Sequence, residues 1–380
     1  MSTSANVAPS QPRRYDDRQE RVSRWATQLD THSYLVFFAI WGTLSRLGLQ
    51  ALTHYPGAPV SFGVLWANIG GSFIFGFLAE DTKLFYSPVD DPVDEQEMPS
   101  RETYAAPKPE LASMSASARK THMARKKAIP LYVGLTTGFC GSFTSFSSFI
   151  RDMFLATSND LPSPDLSTPL SRHGGYSFMA LLAVLITTLG LSLSALIVGN
   201  HAANALHPCT PSPPPGFTRR YLNPLSILLG WGSWLGAILL AVFPPYKHWR
   251  GQALFAVVFA PLGCIVRYHL SLLLNPRNPA FPIGTFSANI LGTVILGMGW
   301  DLLHVPLGGL VGCQVLLGID DGFCGCLTTV STWVAELASL RRRHAYIYGS
   351  VSVVSAFALM VAIMGGMRWS IGFQPPMCKN

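Results

Sequence analysis

The residues most able to do chemistry in this chain are polar groups that recur inside apolar segments. The segment 138–149 reads GFCGSFTSFSSF and the segment 322–333 reads GFCGCLTTVSTW, so glycine, threonine and serine occupy matching positions. Packing of apolar helices does not by itself require these hydroxyl groups. Because polar side chains in hydrocarbon are costly unless they are paired or contact water, the duplication indicates a polar route for something that crosses a membrane.

Two shorter motifs precede each of these segments in the same order. The distance from an arginine to the following asparagine is 22 residues in both copies, which links Arg46 to Asn68 and Arg267 to Asn289. An arginine within a membrane usually faces the protein interior or water, and two inward-facing guanidinium groups raise the local concentration of anions. The charge balance therefore favours an anion as the species that crosses. Glycines recur at the same spacing in both copies, which pairs Gly42 with Gly263, Gly71 with Gly292 and Gly76 with Gly297.

Each of these residues also has a simpler explanation. Asn68 and Asn289 could join helices by hydrogen bonds, with the neighbouring glycines allowing close contact. Phe146 and Phe149 could pack against lipid or other core residues. Arginine, asparagine and hydroxyl residues recur in the same order in both copies. This repetition favours a route across the membrane over these simpler explanations.

The composition is that of a membrane protein. Hydrophobic residues make up 49% of the chain and charged residues 12%, against about a quarter charged in soluble proteins. Apolar stretches long enough to cross a bilayer, which takes about 20 helical residues, recur along the chain. The glycine-rich motifs lie in the third and eighth stretches and predict broken helices there. The predicted spans are 34–54, 60–79, 129–153, 176–199, 223–243, 252–274, 282–304, 308–338 and 345–367.

These spans, about nine, divide into four, one and four. Because four spans return the chain to its starting side, the single middle span places the second copy upside down relative to the first. The sequence predicts an all-α polytopic membrane protein of two inverted four-helix repeats, with the permeation site at the repeat interface. The predicted segments are a polar N-terminus at 1–30, a first repeat at 31–200 with a disordered insert at 81–128, a linker and connecting helix at 201–250, a second repeat at 251–370 and a tail at 371–380.

The net charge of +7 is mostly a signal of topology. Lysine and arginine cluster before the first span and again at 119–127 and 341–343, whereas the turns 55–59 and 305–307 contain neither residue. Since positive residues favour the cytoplasmic side of a membrane, we expect a cytoplasmic N-terminus. Nucleic-acid binding is not indicated, because no basic surface with aromatic residues and no matching fold signature accompanies the charge.

Signatures of enzymes and metal centres are absent from the sequence. There is no His-Glu-x-x-His motif, no Walker-type loop and no nucleophile elbow, so we predict that the chain is not an enzyme. Cys324 and Cys326 lie close together, but no second cluster joins them, which argues against zinc. Cys140 and Cys324 are expected to pack as small apolar residues, and the cysteine pattern does not suggest a disulfide scaffold.

Taken in order, Gly-x-x-x-Arg, Asn-x-x-Gly and the long glycine-rich motif resemble the small Fluc (CrcB-type) fluoride channels. Two copies joined by an extra helix resemble the fused fluoride export proteins of fungi and plants. The resemblance covers both four-helix units. It implies a passive, fluoride-selective channel that exports fluoride from the cytoplasm and confers fluoride resistance. It also implies a plasma-membrane protein in which one chain forms a pseudo-dimer within the lipid bilayer.

The resemblance also assigns roles to individual residues. The implied fluoride pathway comprises Asn68, Asn289, Phe146, Phe149, Trp333, Ser147 and Ser331. The implied vestibule residues are Arg46 and Arg267. A structural sodium ion would be held by the backbone carbonyls of Gly141, Thr144, Gly325 and Thr328. Neutral amide donors and the positive edges of aromatic rings suit this role, because they replace the water around fluoride without trapping the ion.

The second copy departs from the aromatic pattern of the first. It has Val330 and Trp333 where the first copy has Phe146 and Phe149. If each pore draws aromatic residues from both copies, neither pore has a complete phenylalanine set. We therefore predict two non-equivalent pores, one of them vestigial, and prefer a pore that pairs Phe146 with Trp333. The second copy keeps the polar residues. We therefore expect it to retain its part of the sodium site and its helix break more fully than its set of pore-lining aromatic residues.

Two other functions stay open at this point. Inverted repeats also build secondary transporters of other small solutes or anions, which typically need a larger central cavity and a coupling carboxylate. A non-transporting membrane scaffold would use the polar motifs only to join helices. The acidic residues in or beside the apolar segments are few: Asp152, Asp301, Asp320, Asp321 and Glu336.

Overall fold

The structure, a computed structural model, describes residues 13–58, 60, 62–85, 125–161, 172–212, 214–246, 251–305, 309–376 and 378. Within these ranges every regular element is a helix, as expected for an all-α membrane protein. Most of the insert predicted to be disordered, 86–124, lies outside the described residues, as does the start of the predicted N-terminal segment, 1–12.

The first repeat contains four helices, and the third of these is broken. Its continuous helices are α1 (Arg13–Thr53), α2 (Leu65–Glu80) and α4 (Gly174–Leu206). The first arm of the broken helix, α3a (130–143), is built from Pro130–Val133, Gly134–Cys140 and Gly141–Phe143, and the second arm, α3b, is Phe146–Ser158. Helix α1 begins well before the predicted start at residue 34, so part of the segment expected to be a polar tail is helical.

A single helix connects the repeats, and four more follow it. The connecting helix is α5 (Asn223–Val242), and the continuous helices of the second repeat are α6 (Gln252–Leu274), α7 (Ile283–Leu303) and α9 (Arg342–Ser370). The broken helix α8 has a first arm, α8a (309–327), built from Gly309–Gly318, Ile319–Cys324 and Gly325–Leu327, and a second arm, α8b, at Ser331–Ser339. The order of four, one and four helices matches the prediction.

Seven stretches in the described part of the chain are long and apolar enough to cross a membrane. The other two elements of the series are α2, which has 16 residues, and the broken α3. An apolar helix in lipid exposes apolar side chains outward, and those of α4 and α5 do so along most of their length. The chain is therefore a multi-pass membrane protein.

Helices α1 and α6, which carry the same Gly-x-x-x-Arg motif, run in opposite directions. At one end of the pair, His32 near the start of the apolar part of α1 lies beside His269 near the end of α6, with 3.1 Å between their Nε2 atoms. At the other end, Gln50 and His54 at the end of α1 line the same cavity as Gln252 at the start of α6. These two equivalent helices are thus antiparallel.

The repeated glycines allow backbones to approach closely. A Cβ atom on Gly42 would lie 2.7 Å from the Phe139 carbonyl oxygen, and one on Gly263 would lie 2.2 Å from that of Phe323. Any side chain at these positions would push the first helix of each repeat away from the broken helix. Small residues at helix contacts are typical of membrane proteins.

A disulfide joins Cys313 in α8a to Cys378 in the C-terminal tail. The cysteine pattern, which does not suggest a disulfide scaffold, gave no indication of this single bond. Two cysteines separated by 65 residues give no local spacing signal, and only the packing of the tail against α8a brings them together. Cys140 and Cys324 are buried free thiols, as predicted.

Candidate functional site

Both broken helices change direction at a threonine. Thr144 (φ −90°, ψ 153°) and Thr328 (φ −96°, ψ 154°) have extended backbone between helical arms. Before each break the chain is wound as a π-helix, over Gly134–Cys140 and Ile319–Cys324, a form found frequently at functional sites. The predicted breaks in the glycine-rich segments are confirmed.

Each repeated asparagine holds the residue that follows a break. Asn68 Oδ1 accepts a hydrogen bond from the Ser145 N–H at 2.9 Å, and its Nδ2 donates to the Ser145 carbonyl at 3.5 Å. Asn289 makes the same two contacts with Thr329, at 2.9 and 3.3 Å. Both side chains are buried. Each amide therefore satisfies backbone groups that the break removes from the helical ladder, and it has a second N–H hydrogen beyond the one used here.

The threonine at each break caps the helix that follows the break of the other repeat. Thr144 Oγ1 accepts hydrogen bonds from the N–H groups of Val330 and Ser331, both at 3.2 Å, where α8b begins. Thr328 Oγ1 accepts one from the Ser147 N–H at 3.1 Å, near the start of α3b. The first N–H groups of a helix lack partners within it. This exchange therefore ties the two repeats together at the centre of the molecule, and Ser147 and Ser331 lie at that junction.

The breaks also free backbone carbonyl groups. In an uninterrupted helix the Gly141 carbonyl would accept from the Ser145 N–H, but Ser145 donates to Asn68 instead. The equivalent exchange in the second repeat frees the Gly325 carbonyl. Carbonyls of unwound helices are ligands for sodium ions. Among the described residues, no group of three His, Cys, Asp or Glu side chains could hold a metal ion.

The two arginines reach across to the opposite repeat. Arg267 donates to the Thr137 carbonyl at 2.6 Å, and its guanidinium lies against Gly141, where a Cβ atom would be 1.8 Å from Nη1. Arg46 lies against Gly325 in the same way. Their exposed fractions are 1% for Arg46 and 2% for Arg267. Both guanidinium groups therefore fill the interface between the repeats, and the vestibule role implied by the resemblance stays a prediction.

Aromatic rings from both repeats meet beside the hydroxyl groups of Thr144, Ser147, Thr328 and Ser331. The ring centroids of Phe146 and Trp333 are 5.2 Å apart at an interplanar angle of 72°, and those of Phe146 and Phe149 are 5.8 Å apart at 77°. Both pairs are edge-to-face, and all three rings are buried. The Trp333 Nε1–H has no hydrogen-bond partner among the described residues. The structure thus brings together the two aromatic residues that the sequence analysis paired.

Buried hydroxyl groups on the last helix of each repeat were not predicted from the sequence. Ser192 on α4 and Ser352 on α9 are fully or almost fully buried, and their hydroxyl groups have no partner within the described structure. The available signal was the four-residue spacing of Thr188 to Ser192 and of Tyr348 to Ser352, which places each pair on one helix face. That spacing is common in helices and is weak without a packed structure.

A protein-family model described as "CrcB-like protein, Camphor Resistance (CrcB)" matches residues 33–200 and 254–367. The chain belongs to this family. The two matched stretches coincide with the two four-helix repeats, and helix α5 lies between them. The CrcB-like family match therefore agrees with the internal duplication seen in both the sequence and the structure.

Several curated proteins of this family are similar to the chain. Fluoride export protein 1 of Neurospora crassa is 56% identical over 377 residues, covering 95% of this chain and 71% of that protein. Fluoride export protein 1 of Candida albicans is 36% identical over 353 residues, covering 89% and 80%. Fluoride-specific ion channel FluC of Chlorobium luteolum is 35% identical over 114 residues, 29% of this chain but 87% of that protein. These names describe export proteins and channels rather than enzymes, as predicted for this chain. No solved structure gives a significant match.

Proposed function

We propose that the chain is a passive fluoride channel that exports fluoride from the cytoplasm and so confers fluoride resistance. The observation that carries this proposal is the edge-to-face set of Phe146, Phe149 and Trp333 beside the amide and hydroxyl groups of two crossing broken helices. The names of the similar fungal and bacterial proteins support the choice of ion.

Fluoride is small and strongly hydrated, so a pore must offer hydrogen-bond donors in place of water. Asn68 and Asn289 each keep one side-chain N–H beyond their backbone contacts. Ser192 and Ser352 have hydroxyl groups without partners in the described chain, and ring edges carry partial positive charge. All of these donors are neutral, which suits an ion that must leave as readily as it enters.

The two pores are not equivalent in this proposal. Phe146 and Trp333 approach each other across the repeat interface, whereas Val330 offers no ring edge to the other pathway. The pathway that contains the Phe146–Trp333 pair is the conducting one, and the other is vestigial.

A structural sodium ion would sit between the repeats. The carbonyls of Gly141 and Gly325, which lose their helical donors, would hold it together with those of Thr144 and Thr328, which follow in extended backbone. When bound, the ion would neutralise the carbonyl dipoles that the two breaks bring together. Its role in this proposal is to stabilise the crossing and not to take part in conduction.

The proposed topology is an inverted repeat, and the single chain acts as a pseudo-dimer. The antiparallel course of α1 and α6 supports it. With nine spans and a cytoplasmic N-terminus, the C-terminal tail lies outside the cell. The Cys313–Cys378 disulfide supports this side for the tail, because disulfides persist in oxidising compartments. The plasma membrane is the proposed location, since export there removes fluoride from the cell.

The driving force requires no coupled reaction. Hydrogen fluoride is a neutral weak acid that crosses membranes and ionises in neutral cytoplasm. An interior-negative potential then drives the trapped anion outward by about 2.3 kcal/mol per 100 mV. A selective pore is sufficient for export under these conditions.

Fluoride efflux from proteoliposomes, recorded with a fluoride-selective electrode, tests the proposal. Wild-type protein should release fluoride and retain chloride, and Phe149→Ile, Asn68→Ala and Asn289→Ala variants should be compared with it. Vesicles that retain fluoride, or wild-type rates in all three variants, would overturn the assignment.

One observation favours an alternative to the fluoride channel, a proton-coupled transporter. Asp152 and Asp320 are buried carboxyl groups within spans, and Asp320 has no hydrogen-bond partner in the described chain. A transporter would show saturable uptake driven by a pH gradient at zero membrane potential. A channel would instead follow the fluoride gradient and the voltage alone.

A further inference from the structure

Two histidine side chains from different repeats meet at one end of the bundle, away from the aromatic rings of the proposed pathway. The Nε2 atoms of His32 in α1 and His269 in α6 are 3.1 Å apart, although the residues are 237 positions apart in the chain. Their ring centroids are 5.3 Å apart. Because imidazole nitrogen is the commonest protein ligand for transition metals, the pair is a candidate metal site.

The hydrogen bond on the far side of the His32 ring prepares its Nε2 atom to bind a metal. His32 Nδ1 lies 2.7 Å from the carbonyl oxygen of Gln28. That oxygen can only accept, so Nδ1 carries the hydrogen and Nε2 of the neutral ring presents a lone pair. Histidines that bind metals almost always donate their other ring N–H to a carbonyl, a carboxylate or water. His32 therefore already has the tautomer that a metal ion requires.

In the metal-free protein the Nε2–H of His269 is the donor to that lone pair. A metal ion would take the place of this hydrogen between the two nitrogens. The His269 ring would then carry its hydrogen on Nδ1 instead, by exchange with water, and both rings would stay neutral. No net change of charge in the two side chains is needed for binding.

The distance between the two nitrogens fits two bonds to one ion. Zinc–nitrogen bonds are about 2.0–2.1 Å long. Two such bonds place the nitrogens about 3.3 Å apart at a tetrahedral angle and about 2.9 Å apart at a right angle. The observed 3.1 Å lies between these values, so an ion can enter with small rotations of the rings.

Both histidines project from helices that are held firmly on either side. Ser33, next to His32, is buried and accepts a hydrogen bond from the Trp231 Nε1–H at 2.9 Å. Arg267, two residues before His269, is buried and donates to the Thr137 carbonyl at 2.6 Å. Ligands on rigid elements are positioned more precisely than ligands on loops. His269 itself is exposed, which leaves room for water to complete the coordination.

The site occurs at one end of the bundle only. The offset that relates the two arginine motifs pairs His32 with Ala253 and His269 with Gly48. Neither of these residues has a side chain that can bind a metal. The histidine pair is therefore not a consequence of the duplication, and each chain would hold one such site.

We propose that His32 and His269 bind a divalent transition-metal ion of the zinc class, which joins the two repeats. Imidazole suits zinc, copper and nickel, whereas calcium and magnesium prefer oxygen ligands. In the proposed topology the site lies at the cytoplasmic end of α1, but the inference does not depend on fluoride conduction. Because the two ligands are adjacent only in the folded protein, bound metal stabilises the fold.

Thermal unfolding of the full-length protein in detergent, purified without a histidine tag, tests the inference. Zn²⁺ should raise the melting temperature of the wild type by an amount that grows with its concentration, and Mg²⁺ should not. Titration calorimetry should show an affinity for Zn²⁺ that is about tenfold or more weaker in His32→Ala and His269→Ala. Acidic solution should also weaken binding, because protonated imidazole has no lone pair for the metal.

Two variants at one position separate metal binding from the hydrogen bond between the rings. His269→Gln keeps a side-chain N–H for His32 Nε2, so the melting temperature without metal should stay near that of the wild type while the zinc effect disappears. His269→Cys provides a thiolate, which is a good zinc ligand, and should restore the zinc effect. His201→Ala and Cys209→Ser, which change other exposed side chains able to bind metals, should leave it unchanged.

The outcomes bear on this inference alone, because none of the measurements uses fluoride. A melting temperature of the wild type that does not respond to Zn²⁺ would show that the pair is only a hydrogen bond between neutral rings. Equal zinc affinities in the wild type and His32→Ala would place the bound metal elsewhere. Either result would overturn the inference and leave the proposed function untouched.

Discussion

The hydroxyl oxygen of Thr328 accepts a hydrogen bond from the backbone N–H of Ser147, 3.1 Å away and 181 residues earlier in the chain. In the equivalent contact, the hydroxyl oxygen of Thr144 in the first repeat accepts a hydrogen bond from the backbone N–H of Ser331 in the second. Each repeat thus supplies part of the cap for the broken helix of the other. The two repeats depend on each other at the point where the proposed pathway passes.

Replacing either capping threonine with valine should destabilise the protein. Thr328→Val keeps the side-chain shape but leaves the buried Ser147 N–H without its acceptor, which costs about 1–3 kcal/mol. Thr144→Val should cost a similar amount, and thermal unfolding in detergent measures both. Thr187→Val is the matched control, because that hydroxyl bonds only within its own helix. Equal melting temperatures for Thr328→Val and the control would contradict the cap.

A methyl group at the glycine beneath either arginine should disrupt the repeat interface. Gly141→Ala would place Cβ 1.8 Å from Arg267 Nη1, and Gly325→Ala would place it 2.2 Å from Arg46 Nη2. Because each guanidinium is buried, we expect strong destabilisation and loss of fluoride efflux. Gly236→Ala in α5 has nothing within 4 Å and should stabilise its helix by up to about 1 kcal/mol. Wild-type stability for Gly141→Ala would show that Arg267 does not occupy this position.

The two asparagines should be alike in stability and different in conduction. Asn68→Leu and Asn289→Leu each remove an acceptor 2.9 Å from a buried N–H, so we expect similar losses of about 1–3 kcal/mol. If only one pore conducts, fluoride efflux per folded channel should fall much more for one variant than for the other. Equal losses of efflux in both variants would indicate two equivalent pores.

Removal of the disulfide should lower stability without changing selectivity. The Cys313–Cys378 bond closes a long loop, and such bonds typically contribute about 2–4 kcal/mol. Addition of a reductant should therefore lower the melting temperature of the wild type but not that of a Cys313→Ser, Cys378→Ser double variant. Cys209→Ser, which changes an exposed free thiol, is the control. Maleimide labelling of both cysteines without reduction would contradict the bond.

Much of the fold could be predicted because its signals are local. Apolar length alone placed α6 at 252–274, where the structure has Gln252–Leu274, and the glycine-rich motifs predicted both breaks. Boundaries next to polar sequence were less accurate: α1 begins at Arg13 and not near residue 34, since a polar, charged stretch continues the helix ahead of its apolar part.

By itself, the sequence determined the membrane class, the duplication, the broken helices and the residues at the centre, because each depends on composition or on a motif within one repeat. Only the tertiary structure decided how the copies meet. It showed that Thr144 and Thr328 cap opposite helices, that Arg46 and Arg267 are buried against the glycines of the other repeat, and that acids of both repeats, Asp152 and Asp320, line one cavity. Those contacts join residues more than a hundred positions apart. Their partners are selected by the packing of whole helices and not by any spacing along the chain.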